Sequence, residues 1–307
     1  MPQTIIGCDL ARGWIDTHVL PSGATARIEN TPEGVARWAA SLRDGALVVF
    51  EATSGCDAPL IEALAGCGVR FVRVNPRQAR EFARALGVLA KTDRVDARIL
   101  AEMGRMLPLE ATAPPDPDRG RLADFLRRRK QLVEMRKAEK VRRHNAGQPA
   151  ILSEIETMIA LLDQRIADMD REIAALIAAS PALAEQAQLL SAVPGIGPTV
   201  MATLLGELPK LGALCRRRIA SLAGLAPHAR ESGTWREARR IWGGRRKVRE
   251  ALYIAALSAS RRVPTLIAMR DRMRAAGKAP KTILIAIARQ LLVILNAMIR
   301  HREPIRL

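Results

Sequence analysis

Four carboxylates stand in three separated places where acidic side chains can act together. Asp9 closes the apolar run Ile5-Ile6-Gly7-Cys8, and Glu51 closes Leu47-Val48-Val49-Phe50. Asp93 and Asp96 lie in Lys91-Thr92-Asp93-Arg94-Val95-Asp96-Ala97, at the start of a helical pattern. Carboxylates at strand ends sit where a sheet opens onto solvent, and an i, i+3 pair shares one helix face. Such oxygens suit hard divalent cations. Two cations roughly 3.5–4 Å apart stabilise both the attacking and the leaving oxygen of phosphoryl transfer. Taken singly, each residue has an ordinary use: Asp93 suits the first turn of a helix, where the dipole welcomes an anion, and Glu51 is a loop charge.

The elements that must position these groups follow from periodicity. Residues 3–9, 14–20 and 24–29 alternate between turn signals such as Pro21-Ser22-Gly23, which predicts three successive strands. Thr31-Pro32-Glu33 opens a helix reaching about Arg43, with Thr as its cap. A buried strand at 46–50, a helix near 57–66, a strand at 69–74 and a helix from Asn75-Pro76 to Leu86 come next. Thr92 is placed to cap the helix bearing Asp93 and Asp96. Three strands followed by alternating helices and strands predict an α/β sheet domain.

Ala113-Pro114-Pro115-Asp116-Pro117 reads as a stiff linker. Residues 119–143 form a basic helix with eleven basic against three acidic residues. After the breaker Asn145-Ala146-Gly147-Gln148-Pro149, apolar residues at 152, 155, 159, 162, 166, 169, 173 and 176 alternate spacings of three and four, as a coiled-coil seam requires. A helical hairpin arm used for self-association is expected; a helix packed on its own domain is the plainer alternative. Val193-Pro194-Gly195-Ile196-Gly197-Pro198 lies between helical patterns and resembles the hairpin of a helix-hairpin-helix motif. Glycines there let backbone N–H groups approach phosphate, or simply make a helix–helix turn.

Charge is unevenly distributed. The 307 residues carry a net charge of +18, and residues 186–307 hold twenty-three basic against six acidic residues. Residues 1–110 hold thirteen of each. A polyanionic partner for the C-terminal third follows. The run from Arg236 to Arg249, with Arg230 upstream, offers Arg236, Arg239, Arg240, Arg245, Arg246, Lys247 and Arg249 as phosphate contacts; Lys91, Gly195 and Gly197 are further nucleic-acid candidates. Nine aromatic residues are too few for a surface that reads bases mainly by stacking, so backbone and shape contacts are expected. Scattered cysteines (Cys8, Cys56, Cys67, Cys215) and histidines argue against zinc and a disulfide framework, and a reducing cytoplasm is expected. No signal peptide is visible. The apolar segment from Ile283 to Ile299, interrupted by Arg289 and Gln290, reads as a packed helix, so no membrane partner is expected.

The order of the acidic positions is that of the ribonuclease-H-like nucleases, and specifically of RuvC-type resolvases. Longer blocks resemble the DEDD transposases of the insertion sequence 110 family. They are Asn30-Thr31-Pro32-Glu33-Gly34, Glu51-Ala52-Thr53-Ser54-Gly55, Val74-Asn75-Pro76-Arg77-Gln78 and Lys91-Thr92-Asp93 with Asp96-Ala97-Arg98. The C-terminal half adds Val193-Pro194-Gly195-Ile196-Gly197, Leu222-Ala223-Gly224-Leu225-Ala226-Pro227, Ser232-Gly233, Gly243-Gly244-Arg245 and Val248-Arg249-Glu250-Ala251-Leu252-Tyr253.

The resemblance implies an α/β plus all-α architecture. Residues 1–112 would be a RuvC-like catalytic domain, 113–185 a linker and coiled-coil hairpin, and 186–307 a helical domain with a helix-hairpin-helix-like motif. It implies a DNA recombinase whose acidic positions fall on Asp9, Glu51, Asp93 and Asp96, binding Mg²⁺ (two ions, with Mn²⁺ as a substitute), and whose catalytic serine falls on Ser232. Without it, Ser-Gly between charged residues reads as a polar turn. It further implies donor and target double-stranded DNA, a structured guide RNA, a covalent phosphoserine link, and a site shared between protomers of a dimer or tetramer in a bacterial nucleoid. Two rivals stay open on the residues alone: a RuvC-like nuclease that uses water with Ser232 a bystander, and a binding scaffold without activity.

Overall fold

The computed structural model describes residues 4–53, 55–88, 92–114, 116–228, 231–232, 235–236 and 240–304, with the side chains of 228, 231, 232, 235 and 236 left aside. The chain divides into two compact units, Met1–Pro114 and Pro115–Leu307.

The first unit is built on a five-stranded sheet of β1 (Ile5–Leu10), β2 (Trp14–Leu20), β3 (Thr25–Glu29), β4 (Leu47–Glu51) and β5 (Arg70–Val74), in the order β3-β2-β1-β4-β5. β1, β2 and β3 are antiparallel neighbours, whereas β4 and β5 run parallel to β1. The two faces of the sheet carry different cores. Ile6, Cys8, Val48 and Phe50 pack with α1 (Pro32–Ala40) and α2 (Ala58–Gly66). Ile5, Leu47, Val49, Val72 and Val74 pack with α3 (Pro76–Ala85) and α4 (Asp93–Met106).

Three helices start where a side chain accepts from an otherwise unpaired N–H. Thr31 accepts from Gly34, Asn75 from Arg77 and Thr92 from Val95, at 3.1, 2.9 and 3.4 Å.

The second unit is helical. α5 (Pro117–Asn145) and α6 (Pro149–Ala179) form an antiparallel hairpin, tied by Arg129 to Asp170 at 2.5 Å and by Arg136 to Asp163. Most of the expected seam on α6 is covered within the chain. Leu162 and Ile166 pack with Leu132 of α5, while Ile173 and Leu176 enter the main core. The apolar stripe therefore has a partner in its own hairpin.

That core is shared by α7 (Pro181–Ser191), α8 (Pro198–Glu207), α9 (Arg216–Leu222), α10 (Arg246–Arg262), α11 (Pro264–Ala275) and α12 (Pro280–His301). Among the described residues between α9 and α10 are four two-residue strands, β6 (Pro227–His228), β7 (Glu231–Ser232), β8 (Trp235–Arg236) and β9 (Arg240–Ile241), pairing β6 with β9 and β7 with β8. By length and composition α12 could cross a membrane, but 56% of its most apolar 18-residue window is buried in the chain. Ile287, Leu291 and Leu295 are fully covered, and buried Asn296 accepts from the Gly212 N–H and donates to the Leu214 carbonyl.

Candidate active site

Alternation along β1 turns Ile5, Gly7 and Asp9 to the α4 face, and along β4 it turns Leu47, Val49 and Glu51 to the same face. The parallel register pairs Cys8 with Phe50, so one residue further on Asp9 stands beside Glu51 at the C-terminal ends of neighbouring strands. Across β2 the antiparallel register sets Asp16 opposite Asp9, and Arg27 of β3 opposite Asp16. One row thus crosses four strands: Arg27, Asp16, Asp9, Glu51.

Two adjacent carboxylates, one of them buried, need a compensating cation. Arg27 supplies it with two hydrogen bonds to Asp16, Nε to Oδ1 at 3.0 Å and NH2 to Oδ2 at 2.7 Å. Its guanidinium lies 5.0 Å over the Trp14 ring, a cation–π contact that fixes its plane. The hydrogen bond to Asp16, followed by the charges of Asp16 and Asp93, raises the pKa of Arg27. On the opposite face Cys8 is fully buried, and burial together with the Asp9 charge pushes its thiol far above the ordinary range, which makes it an inert core residue.

Helix α4 reaches this row because Gly7 has no side chain. A Cβ there would lie 1.9 Å from the Ala97 carbonyl oxygen and 2.4 Å from the Ala101 nitrogen. One turn later Gly104 rests instead on side chains of the strands, with a would-be Cβ 2.8 and 2.9 Å from the methyls of Val49 and Ile5. The helix therefore lies backbone against strand, and its first turn carries the Asp pair to the strand ends. Asp96 and Glu51 line one cleft of about 270 Å³, with Arg80 and Arg84 of α3 on its other wall. Asp93 is turned differently: it is 57% exposed and 3.8 Å from Arg27.

The four sequence-derived acidic positions therefore fall on one end of one unit, with Glu51 and Asp96 in a common cleft, Asp9 beside Glu51, and Asp93 toward Arg27. Among the described residues, no three His, Cys, Asp or Glu side chains are gathered as a ready-made metal-binding group. Lys91 lies outside the described residues.

In the second unit, Ser232 belongs to β7, paired through its backbone with Trp235 of β8. Arg230 and Arg239 lie outside the described residues, as do the side chains of Ser232 and Arg236. Several cations expected to meet phosphate are engaged at home. Lys247 pairs with Glu207 at 2.5 Å, Arg245 donates to the Glu207 carbonyl, and Arg249 donates to the Gly243 carbonyl at 2.7 Å. Arg246 is exposed and pairs with Glu250 at 2.6 Å, one turn along α10. Arg240 is exposed on β9 and lines a cavity.

The hairpin glycines divide. Gly195 has a left-handed φ of +99°, and a Cβ there would come 2.7 Å from the Ala255 carbonyl oxygen of α10. Close helix packing accounts for that glycine without any phosphate. Gly197 caps α8 and an added Cβ would meet open space. Gly224 and the Gly243-Gly244 pair also touch backbone to backbone, a Cβ on Gly244 falling 2.2 Å from the Gly224 nitrogen.

Sequence reasoning missed Asp16, Arg27, Arg80, Arg84 and the role of Gly7. Register across strands reveals the first two; the arginines are scattered in a helix whose facing direction only the fold decides.

Comparison with known proteins agrees with this arrangement. A DEDD-type IS110 model described as "Transposase" matches residues 6–146, and the "Transposase IS116/IS110/IS902 family" model matches residues 187–274. The chain is 31% identical over 239 residues to the "Pilin gene-inverting protein" of Moraxella bovis, covering 75% of this chain and 73% of that protein. The protein of the same name from Moraxella lacunata gives the same identity and coverage. The "Insertion element IS110 uncharacterized 43.6 kDa protein" of Streptomyces coelicolor is 32% identical over 146 residues, 47% of this chain and 35% of that protein.

Proposed function

The chain belongs to the IS110 family of transposases, DNA recombinases of insertion elements, and from that premise we propose that it cuts and rejoins DNA with Asp9, Glu51, Asp93 and Asp96 as metal ligands and Ser232 as nucleophile. The observation that carries the reading is the convergence of Asp9, Glu51 and Asp96 at one end of a mixed five-stranded sheet, which is compatible with a DEDD nuclease-like domain; we take it as ribonuclease-H-like (RuvC-like). The donor set fits a hard divalent cation such as Mg²⁺ or Mn²⁺, being made of carboxylate oxygens with no thiolate or imidazole. Bound divalent metal would neutralise charge at the phosphate and promote ionisation of the attacking hydroxyl.

Each residue then has a task. Arg27 holds Asp16 and so compensates the carboxylate that stands opposite Asp9. Arg80 and Arg84 offer cations to non-bridging phosphate oxygens opposite Glu51 and Asp96. The Ser232 Oγ attacks phosphorus as its proton leaves, the phosphorus–deoxyribose oxygen bond breaks, and that oxygen departs as a hydroxyl. One phosphoester bond forms for each one lost, so rejoining needs no external energy source. Self-association brings the serine of one protomer to the carboxylates of another. A structured guide RNA pairs with donor and target, which agrees with a chain holding only nine aromatic residues for base stacking.

Trapping tests the serine. Protein, RNA from the flanking non-coding segment, Mg²⁺ and labelled element DNA are incubated and then denatured. A protein–DNA adduct is expected, absent in Ser232→Ala and in Asp9→Ala. Cleavage that persists in Ser232→Ala without an adduct establishes the water-using nuclease in its place.

A further inference from the structure

The second unit holds a cavity of about 840 Å³ bounded by α9, β6, β9, α11 and α12. Five cations line it, drawn from three elements far apart in sequence: Arg216 and Arg217 of α9, Arg240 of β9, and Lys281 and Arg289 of α12. Among the described residues, no Asp or Glu lines it. Among the described residues, Arg216, Arg217, Lys281 and Arg289 have no ion-pair partner, whereas in the same unit Lys247 pairs with Glu207 and Arg245 and Arg249 donate to backbone carbonyls. Beneath the cations the floor is apolar, formed by Leu225, Ile241, Met269, Ile285 and Val293.

The four cations of α9 and α12, converging without a counter-ion among the described residues, repel one another, and a polyanion relieves that repulsion. The floor narrows the choice of polyanion. A duplex presents phosphates and keeps its bases stacked inside, so it would engage the charged rim and leave the apolar floor in water. A strand with unpaired bases uses both, with bases against the floor and phosphates on the rim. We propose that this groove binds single-stranded nucleic acid. The proposal deepens the reading above and rests on it, since strand exchange must expose unpaired nucleotides. With no aromatic platform among the described residues of the floor, binding is dominated by phosphate contacts, nearly indifferent to base sequence and steep in salt.

The full chain is titrated against fluorescein-labelled twelve-mers of thymidylate and of uridylate, and against a duplex of equal length, by anisotropy in EDTA at several salt concentrations. The pair Arg216→Ala/Arg289→Ala is expected to weaken single-strand binding at least about tenfold, since charge-assisted hydrogen bonds are lost. The salt slope should fall by about 1.4, or about 0.7 for each phosphate contact removed. Lys137→Ala/Arg143→Ala on α5 removes the same charge elsewhere and should change affinity less than twofold, and duplex binding should be unaffected by the groove pair. Loss with either oligomer supports the proposal, and the arm that loses more identifies the sugar. Equal loss from the α5 pair, equal loss of duplex binding, or no loss overturns it. Melting curves accompany each variant, and Arg217→Ala/Lys281→Ala repeats the test should the first pair misfold. The adduct experiment reads a covalent link to element DNA in Mg²⁺ and this one reads reversible binding in EDTA, so failure of the one and failure of the other are separate results.

Discussion

The two units hold charge in different ways. In the first, Arg27, Asp16, Asp9 and Glu51 sit on consecutive strands, so their spacing is set by sheet register and cannot relax. In the second, cations ride on helices and short strands, and each long side chain is at liberty to find a local partner. Arg245, Lys247 and Arg249 have done so, while among the described residues Arg216, Arg217, Lys281 and Arg289 of the groove have no ion-pair partner. Charge placed by a sheet is tolerant of like neighbours because geometry enforces them. Charge placed on helices must be sorted residue by residue into structural and binding cations, and a net count of twenty-three against six does not do that sorting.

Substitutions break or sharpen this contrast in decreasing order. Asp9→Asn should reduce recombination of element DNA at least about a thousandfold while leaving DNA binding intact, the pattern of a residue that acts in concert with others. Gly7→Ala changes no charge, yet its Cβ must displace the Ala97 carbonyl and with it the first turn of α4. A shift of about 1 Å at reacting groups costs on the order of a hundredfold in rate, and overpacking about 2 kcal/mol in stability; recombination assays and urea unfolding measure the two. If Gly7→Ala recombines normally, the sheet-set geometry of the acidic row is not what chemistry requires.

Within the helical unit, Arg246→Ala should lower the salt slope of duplex DNA binding by about one, as one phosphate contact is lost. Arg245→Ala should leave that slope alone and destabilise the unit by about 1 kcal/mol through the lost hydrogen bond to the Glu207 carbonyl. Reversal of those two outcomes would erase the division between structural and binding cations. Smallest of all, Arg136→Ala at the exposed hairpin pair with Asp163 should change neither recombination nor melting measurably, in line with surface ion pairs generally.

Much of the first unit was legible before any coordinates. Strand alternation and the caps Thr31, Asn75 and Thr92 are local signals, and each helix begins where its cap predicts. The acidic ends of β1 and β4 were legible for the same reason. Asp16 and Arg27 were not, because cross-strand partners depend on a register no single strand encodes. On α6 the spacing of apolar residues identified the buried face but could not say what covers it, and α5 of the same chain takes most of that place. Gly195 was visible as a glycine demanding explanation; its neighbour, α10, is about sixty residues away, and only the fold brings it there. The four short strands around Ser232 carry too few residues for alternation to register.

Where α4 lies on β1 there is no side chain between the two backbones at Gly7. Elsewhere, helices rest on sheets through layers of branched side chains that can change rotamer and absorb displacement. At this contact nothing can yield, so thermal excursions of the first turn of α4 are transmitted to β1 with little loss. Asp96 and Asp9 then move together, and their separation fluctuates less than either position does on its own.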